Sequence, residues 1–427
     1  MSSFVVIGAG VSGLTVARLL QERGHDVRIF ERDSRPGGLI KCRRVNGSLF
    51  HTCGGHVFNS KRQDVLDWFW SIFTREEEFT KSDRNSCVFM DKNNCSLEYD
   101  KIPYPIENHM YLFDADTQKA FYADLEEIDK VKGSDAKFTD YDSFGDFLRW
   151  RFGKTLYDLY FQPYNLKVWR RDLTTVPMSW MEGKLPMPTT KEMRENNAKK
   201  VEEKSFVHST FWYEKRDGSQ YIADKLSEGL QIKFDTDIDG IGYKDGKWLV
   251  NGELFDKVVF CGNVKEMIEM IKGIDVESFK EPVDALEFHG TTAVFCEIDR
   301  NPYSWIYQPS RKHESHRIIC TGNFTPSNNG PSVPDGRMTA TVEFTDAISK
   351  EDILENLKRI PLNPTYIDHV YNKYSYPIQN ANTREMIRKL KAFLAPNGFY
   401  FTGRFADWEY YNMDVAIGAA MDLVDGL

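Results

Sequence analysis

Residues 4–7 form an uninterrupted apolar run, the pattern of a strand buried on both faces, and the run ends in a glycine turn, Gly8-Ala9-Gly10-Val11-Ser12-Gly13. Apolar residues at helical spacing follow through Leu20, and a second short apolar run covers residues 27–30 and stops at Glu31. Each glycine has a separate task in such a turn. Gly8 permits the tight bend, Gly10 lets the backbone approach a pyrophosphate, and Gly13 lets the helix pack close to the strand. The N–H groups at the helix start, together with its dipole, favour a phosphate anion. Glu31 stands where a carboxylate accepts hydrogen bonds from an adenosine ribose. Strand, turn, helix, second strand and acid in this register predict a dinucleotide-binding unit.

Further along, residues 57–73 read as a loop and an amphipathic helix carrying Val65, Leu66, Phe69 and Trp70 on one face. Residues 101–185 are mainly helical, with Pro163, Pro177 and Pro186 marking boundaries. Helical periods cover 143–160 and 164–169. The charged stretch 189–205 reads as a mobile surface connection. Beyond Phe211 an amphipathic helix (221–230) precedes short strands at 232–234, 238–243 and 247–250, the last two joined by an Asp245-Gly246 turn. The run 257–261 (KVVFC) reads as a strand returning to the first sheet. Runs 291–298, 304–308, 317–324 and 338–344 suggest a second, antiparallel sheet. Residues 398–403 (GFYFTG) read as a strand and 413–427 as a closing helix.

The expected fold class is therefore α/β: a Rossmann-like nucleotide domain, discontinuous in sequence, with an inserted helical domain and an antiparallel β-sheet substrate domain. The nucleotide domain is assigned residues 1–100, 206–275 and 386–427. The helical substrate or lid domain takes 101–205, and the antiparallel sheet takes 276–385.

Composition narrows the partners. The 427-residue chain carries a net charge of −9 and has no long basic run, which argues against a nucleic-acid partner. An anionic ligand thus needs a local cationic cluster. Aromatic residues make up 14%, enough to line a pocket that stacks rings as well as fill a core. Seven scattered cysteines without a CxxC pair suit reduced thiols, and with no apolar segment of membrane-spanning length the expected location is the cytoplasm. His313 and His316 have no third ligand nearby, so no metal is expected and both read as solvated loop residues.

Several longer runs resemble one flavoprotein family. After Glu31 comes a second glycine turn, Gly37-Gly38, which together with the returning strand and GFYFTGR resembles FAD-binding proteins of the glutathione-reductase and amine-oxidase type. Gly54-Gly55-His56-Val57-Phe58 resembles the GPHIFH-type loop of UDP-galactopyranose mutases, and residues 102–106 (IPYPI) resemble their PYPF segment. Residues 161–169 (FQPYNLKVW) are similar to their PYNFKVW run. RIICTGNFTP at 317–326, Tyr376-Pro377-Ile378 and the closing GRFADWEYYNMD at 403–414 complete an ordered series over nearly the whole chain.

That resemblance implies an isomerase using reduced FAD, active on a nucleotide-sugar substrate. It implies interconversion of UDP-galactopyranose and UDP-galactofuranose through a flavin N5–sugar adduct, with no net redox change, in the service of galactofuranose and lipopolysaccharide assembly. Catalytic roles fall on Arg317 as diphosphate clamp, Lys184 as second cation and His56 beside the isoalloxazine. Substrate contacts fall on Tyr104, Asn165, Trp169, Tyr376 and Tyr410. Cofactor contacts fall on Gly8, Gly10, Gly13, Glu31, Gly37, Gly38, Arg404, Asn412 and Met413. The chain departs from the family in three places. Lys184 stands where an arginine is expected, keeping the charge without the bidentate fork. Phe324 replaces a tyrosine, and His208 falls where the family tends to use asparagine at the nucleobase. The same fold also serves amine oxidases and desaturases, and the departures at Lys184 and Phe324 would equally suit a flavoprotein without turnover.

Overall fold

The computed structural model describes residues 1–92, 95–178, 187–201 and 210–427. Its centre is a five-stranded, all-parallel sheet in the spatial order Phe399–Phe401, Lys257–Phe260, Ser3–Ile7, Asp26–Phe30, Gln231–Lys233. Three separate stretches of chain thus supply one sheet, as the pattern of short apolar runs predicts. The central strand Ser3–Ile7 is buried from Phe4 to Ile7 because it is covered on both faces, whereas the edge strand Gln231–Lys233 needs no such continuous apolarity.

One face is covered by the helices Val11–Glu22, Ser219–Ser227 and Met413–Asp425. Small residues on the closing helix, Ala416 and Ala420, let it lie against the first helix in a core that includes Leu14, Ala17 and Ile417. The other face packs on a four-stranded sheet (Glu253–Phe255, Lys247–Val250, Ile241–Lys244, Ile271–Lys272) and the helix Thr383–Leu394. Asp245 and Gly246 both have positive φ (52° and 77°), the geometry of a two-residue hairpin turn.

A seven-stranded, mostly antiparallel sheet forms the second unit, in the order Thr365–Ile378, Glu287–Asp299, Arg337–Thr345, Arg317–Ile319, Trp305–Tyr307, Ser86–Lys92, Cys95–Pro103. Its fifth and sixth strands run parallel. Three of its strands differ from the sequence expectation. The strand Thr365–Ile378 carries no simple alternation because it is an edge, half exposed along its first part. The hairpin 86–103 joins this sheet, so the first nucleotide-binding stretch ends before it and not at residue 100.

The helices Ala115–Val131, Phe144–Phe152, Gln162–Trp169 and Thr190–Lys199 pack around Phe121, Leu125, Phe147, Leu156 and Met193. The stretch read as a mobile connection is, over 190–199, a packed helix. Its start is fixed by a capping box in which Thr189 and Glu192 satisfy each other's backbone N–H groups. Charge on its outer face hid the buried Met193 and Asn197.

Helix-to-strand approach at the glycine turn is close. A Cβ on Gly13 would lie 1.9 Å from the Gly8 carbonyl oxygen and 3.4 Å from Val6 Cγ1. Gly13→Ala is expected to lower unfolding stability by about 1–3 kcal/mol, read as a fall in denaturation midpoint; an unchanged midpoint would show that the helix can move away without cost.

Candidate functional site

The first glycine turn and the second face each other. Gly10 and Gly37 form an isolated parallel bridge, Gly37 N donates to Ala9 O at 2.9 Å, and a Cβ on Gly10 would come within 4.0 Å of Gly38 Cα. Gly8, Gly37 and Gly38 take positive φ (103°, 127° and 53°). The result is a cradle of bare backbone at the start of helix Val11–Glu22, open where side chains would otherwise fill it. Glu31, 7% exposed, accepts hydrogen bonds from Ala9 N and Asp33 N and so ties the turn to the end of the second strand. These two bonds leave lone pairs on the carboxylate to spare. Bare glycines, a helix start and a carboxylate at the adjacent strand end fit a dinucleotide.

A cleft of about 1060 Å³ opens between this unit, the antiparallel sheet and the helices. Its cofactor end is lined by Gly55, His56, Tyr410, Asn412 and Met413. Asn412 is the residue preceding the closing helix Met413–Asp425, so the helix start faces the cleft. Here two buried polar atoms lack partners: His56 Nε2 and Arg404 Nε. Burial, and then the Arg404 charge, lower His56 to about 4, so its imidazole is neutral at pH 7. The Arg404 guanidinium lies over the Tyr410 ring at 4.1 Å and the Tyr376 ring at 5.4 Å. Unpaired donors and acceptors beside an aromatic stack suit a flat, polar heterocycle such as a flavin.

Arg317 sits mid-cleft, and strand register puts it there. It lies directly opposite Glu343 on one side and Tyr307 on the other, all three on one face of the sheet. Its Nε donates to Glu343 Oε2 and its Nη2 to Tyr376 Oη at 3.0 Å. Part of the guanidinium fork is therefore already engaged with the protein. Glu343 is fully buried and its other oxygen accepts from Gly54 N at 2.9 Å. Burial alone would raise this carboxyl, but Arg317 and His316 hold it down to about 2. Tyr376 stacks on Tyr410 (5.5 Å, 5° between planes) and meets Trp169 edge-on at 6.3 Å.

The facing wall is the helix Gln162–Trp169, preceded by a single π turn, Tyr157–Phe161. Asn165 and Trp169 both line the cleft, yet they bond to each other: Trp169 Nε1 donates to Asn165 Oδ1 at 3.1 Å, while Asn165 Nδ2 donates to Phe161 O at 2.7 Å. Asn165 thus orients the indole and has little left for a ligand. Tyr104 lines the cleft beside Tyr307 (5.2 Å).

Sequence reasoning missed Glu343, Tyr160, Tyr164, Tyr307 and Glu107. Glu343 is the single acid in an otherwise apolar and threonine-rich strand, Arg337–Thr345, which is a usable signal. Tyr164 belongs to the PYNLKVW run itself. His313 and His316, read as solvated, are 4% and 2% exposed, and burial lowers both. His316 lines the cleft next to Arg317, and Lys167 Nζ donates to Gln308 O (2.9 Å) and Ser315 O (2.8 Å) and is lowered by burial to about 7. Phe324 packs in a core with Phe211, Tyr213 and Trp305, outside the cleft lining. Lys184 and His208 lie outside the described residues. Among the described residues no cluster could hold a metal, and no helix is long and apolar enough to cross a membrane.

Comparison with known proteins matches the chain to three kinds of relative. Residues 6–73 match the NAD(P)-binding Rossmann-like domain family. The dTDP-fucopyranose mutase of Escherichia coli is 24% identical over 99% of this chain and 97% of its own length. The UDP-galactopyranose mutase of Mycoplasma genitalium is 20% identical over 97% and 91%. A crystal structure of reduced UDP-galactopyranose mutase superposes with a TM-score of 0.85 at 20% identity, covering 100% of this chain and 93% of that one.

Glu343→Gln removes a buried charge opposite Arg317 and is expected to cost about 3–5 kcal/mol of stability at neutral pH, measured by denaturant unfolding. The carboxyl is depressed in the folded state, so its contribution is present above the unfolded carboxylate range and lost as pH falls towards 2. The wild type should therefore lose the advantage over the variant between about pH 5 and 2; an equal gap at both ends would exclude the ion pair as its source.

Proposed function

We propose that the chain is a member of the UDP-galactopyranose mutase family, an FAD-dependent isomerase converting a pyrimidine-nucleotide sugar between pyranose and furanose forms, UDP-galactose first among them. One observation carries this reading: a single cleft, lined at one end by the GGHVF loop and the start of the closing helix, holds an arginine paired with a buried carboxylate and flanked by two stacked tyrosines. A doubly charged leaving group must be held beside a cofactor while the sugar rearranges, and that arrangement supports it.

Gly8, Gly10, Gly13, Gly37 and Gly38 would take the FAD pyrophosphate, with Glu31 towards the ribose and Arg404, Asn412 and Met413 towards the flavin. When bound and reduced, FAD supplies a nucleophilic nitrogen next to the anomeric carbon. The chain's own residues do the rest. Arg317 presents its remaining Nη1 to the diphosphate, and the Tyr376 and Tyr410 hydroxyls add donors at fixed spacing. Lys184 would be the second cation. Neutral His56 offers Nε2 to the flavin edge without adding charge, and Trp169, locked by Asn165, walls the sugar from water. Tyr104, with Tyr160 and Tyr164, forms an aromatic end suited to the nucleoside.

The test is incubation with UDP-galactopyranose or UDP-galactofuranose, and with dTDP-fucopyranose, with and without dithionite. Interconversion is expected only with reduced flavin. Equal turnover when oxidised would overturn the reading, and stoichiometric hydrogen peroxide from an amine would support an oxidase of the same fold. Tyr376→Phe keeps both ring contacts and removes one hydroxyl bonded to Arg317. It is expected to weaken substrate binding or turnover by about 10–100-fold, and unchanged kinetics would take Tyr376 out of the diphosphate site.

A further inference from the structure

Contacts across the cleft set the order of its parts. Tyr410 stacks on Tyr376, Tyr376 bonds Arg317, and Arg317 lies across the ladder from Tyr307. Tyr307 meets Tyr164 edge-on at 5.6 Å and Tyr104 at 5.2 Å, and Tyr160 stacks on Tyr164 at 5.6 Å. Glu107 lies beyond this row, at the end away from the cofactor. It lines the same cleft, is only 4% exposed, and has no side-chain partner for its carboxyl among the described residues.

Among the described residues the groups around it do not compensate a negative charge: Tyr104 on its own segment and Tyr160 on the facing wall are the titratable groups that feel it. Burial first, then their mutual proximity, raises Tyr104 and Tyr160, so both stay neutral. The cation on this wall, Arg84, donates to Tyr307 Oη at 2.9 Å and Ser86 Oγ at 3.1 Å. From the remaining element, helix Thr190–Lys199, Asn197 donates to the Glu107 carbonyl at 2.7 Å and so fixes the backbone, not the carboxyl. Burial without a counter-charge favours the protonated form, outweighs the residue's own backbone N–H and pushes Glu107 up to about 7.

Uracil and thymine each display an imide edge, an N–H donor between two carbonyl acceptors. An ionised carboxylate is acceptor-only: it can take the N–H but sets its second oxygen against a carbonyl. A carboxylic acid has one donor and one acceptor and satisfies both positions. Resting on the nucleotide-sugar reading above, we propose that Glu107 meets the base edge as a neutral acid, so that binding a uracil or thymine nucleotide takes up a proton from solvent. The site would then select imide-edged bases through a titratable group.

The experiment is calorimetric titration of the FAD-loaded, oxidised protein with UDP-galactose, whose diphosphate diester stays ionised throughout, between pH 6 and 8 in two buffers of different ionisation enthalpy. Kd should rise about tenfold from pH 6 to pH 8, with net proton uptake on binding at the upper end. Glu107→Gln offers the same donor–acceptor pair without titrating, so its Kd should stay near the wild-type value at pH 6. A residual slope common to both proteins belongs to groups other than Glu107, Lys167 among them. A wild-type Kd that tightens with pH would mean an ionised Glu107 accepting from ribose hydroxyls, and would overturn the proposal. Equal slopes in the two proteins, or a glutamine variant more than tenfold weaker at pH 6, would overturn it too. These results leave the nucleotide-sugar reading intact, whereas no wild-type binding at any pH would overturn both. A wild-type titration at pH 8 that takes up no proton overturns the proposal even if the variant fails to fold.

Discussion

The Arg317–Glu343 pair is the constraint on which the cleft depends. A guanidinium can face an anionic ligand from inside a protein only if its charge is held and its geometry fixed. Glu343 does both, because it is directly opposite Arg317 in an antiparallel ladder and is wholly buried. Its second oxygen takes Gly54 N, the residue that opens the GGHVF loop. One carboxylate therefore fixes the arginine and the loop that carries His56, and couples the antiparallel sheet to the cofactor end of the cleft. Removing it would leave an unpaired buried cation and an untethered loop together.

Around this pair, side chains that touch the cleft are themselves held by neighbours. Asn165 is occupied in orienting Trp169, and His289 bridges the Trp169 carbonyl (2.8 Å) and Asp346 (2.9 Å), fixing the end of the same helix. Arg170 then leaves the helix in the left-handed conformation, with φ of 48°. By contrast, two of the buried atoms without partners, His56 Nε2 and Arg404 Nε, lie at the end of the cleft beside Tyr410. Rigid walls with unsatisfied groups aimed inward are what preorganised binding needs, since reorganisation on binding then costs little.

Much of this was legible from the chain. Glycine spacing and the apolar runs located the parallel sheet, including KVVF at 257–260 and FYF at 399–401, because a strand buried on both faces needs no partner's pattern to declare itself. The edge strand Thr365–Ile378 escaped, since a half-exposed edge mixes polar and apolar residues without strict alternation, and so did the pair Ser86–Lys92 and Cys95–Pro103. The helix Thr190–Lys199 was hidden by its charge, although Thr189 and Glu192 spell its capping box. Resemblance in the ordered runs from 161–169 to 403–414 pointed to Arg317, Trp169, Tyr376 and Tyr410, and all four line one cleft.

By itself, then, the sequence determined the dinucleotide cradle, because glycines, helix start and Glu31 act over neighbouring residues whose geometry follows from local backbone rules. It also determined the kind of side chains available to the site. Only the tertiary structure decided which of them are free to act. That Arg317 is half engaged, that Asn165 serves Trp169, that His313 and His316 are buried, and that Glu107 stands without a counter-charge among the described residues all depend on which distant strand or helix lies opposite. Burial and pairing are properties of that packing, and they set charge state and hydrogen-bond capacity at residues whose identity alone leaves both open.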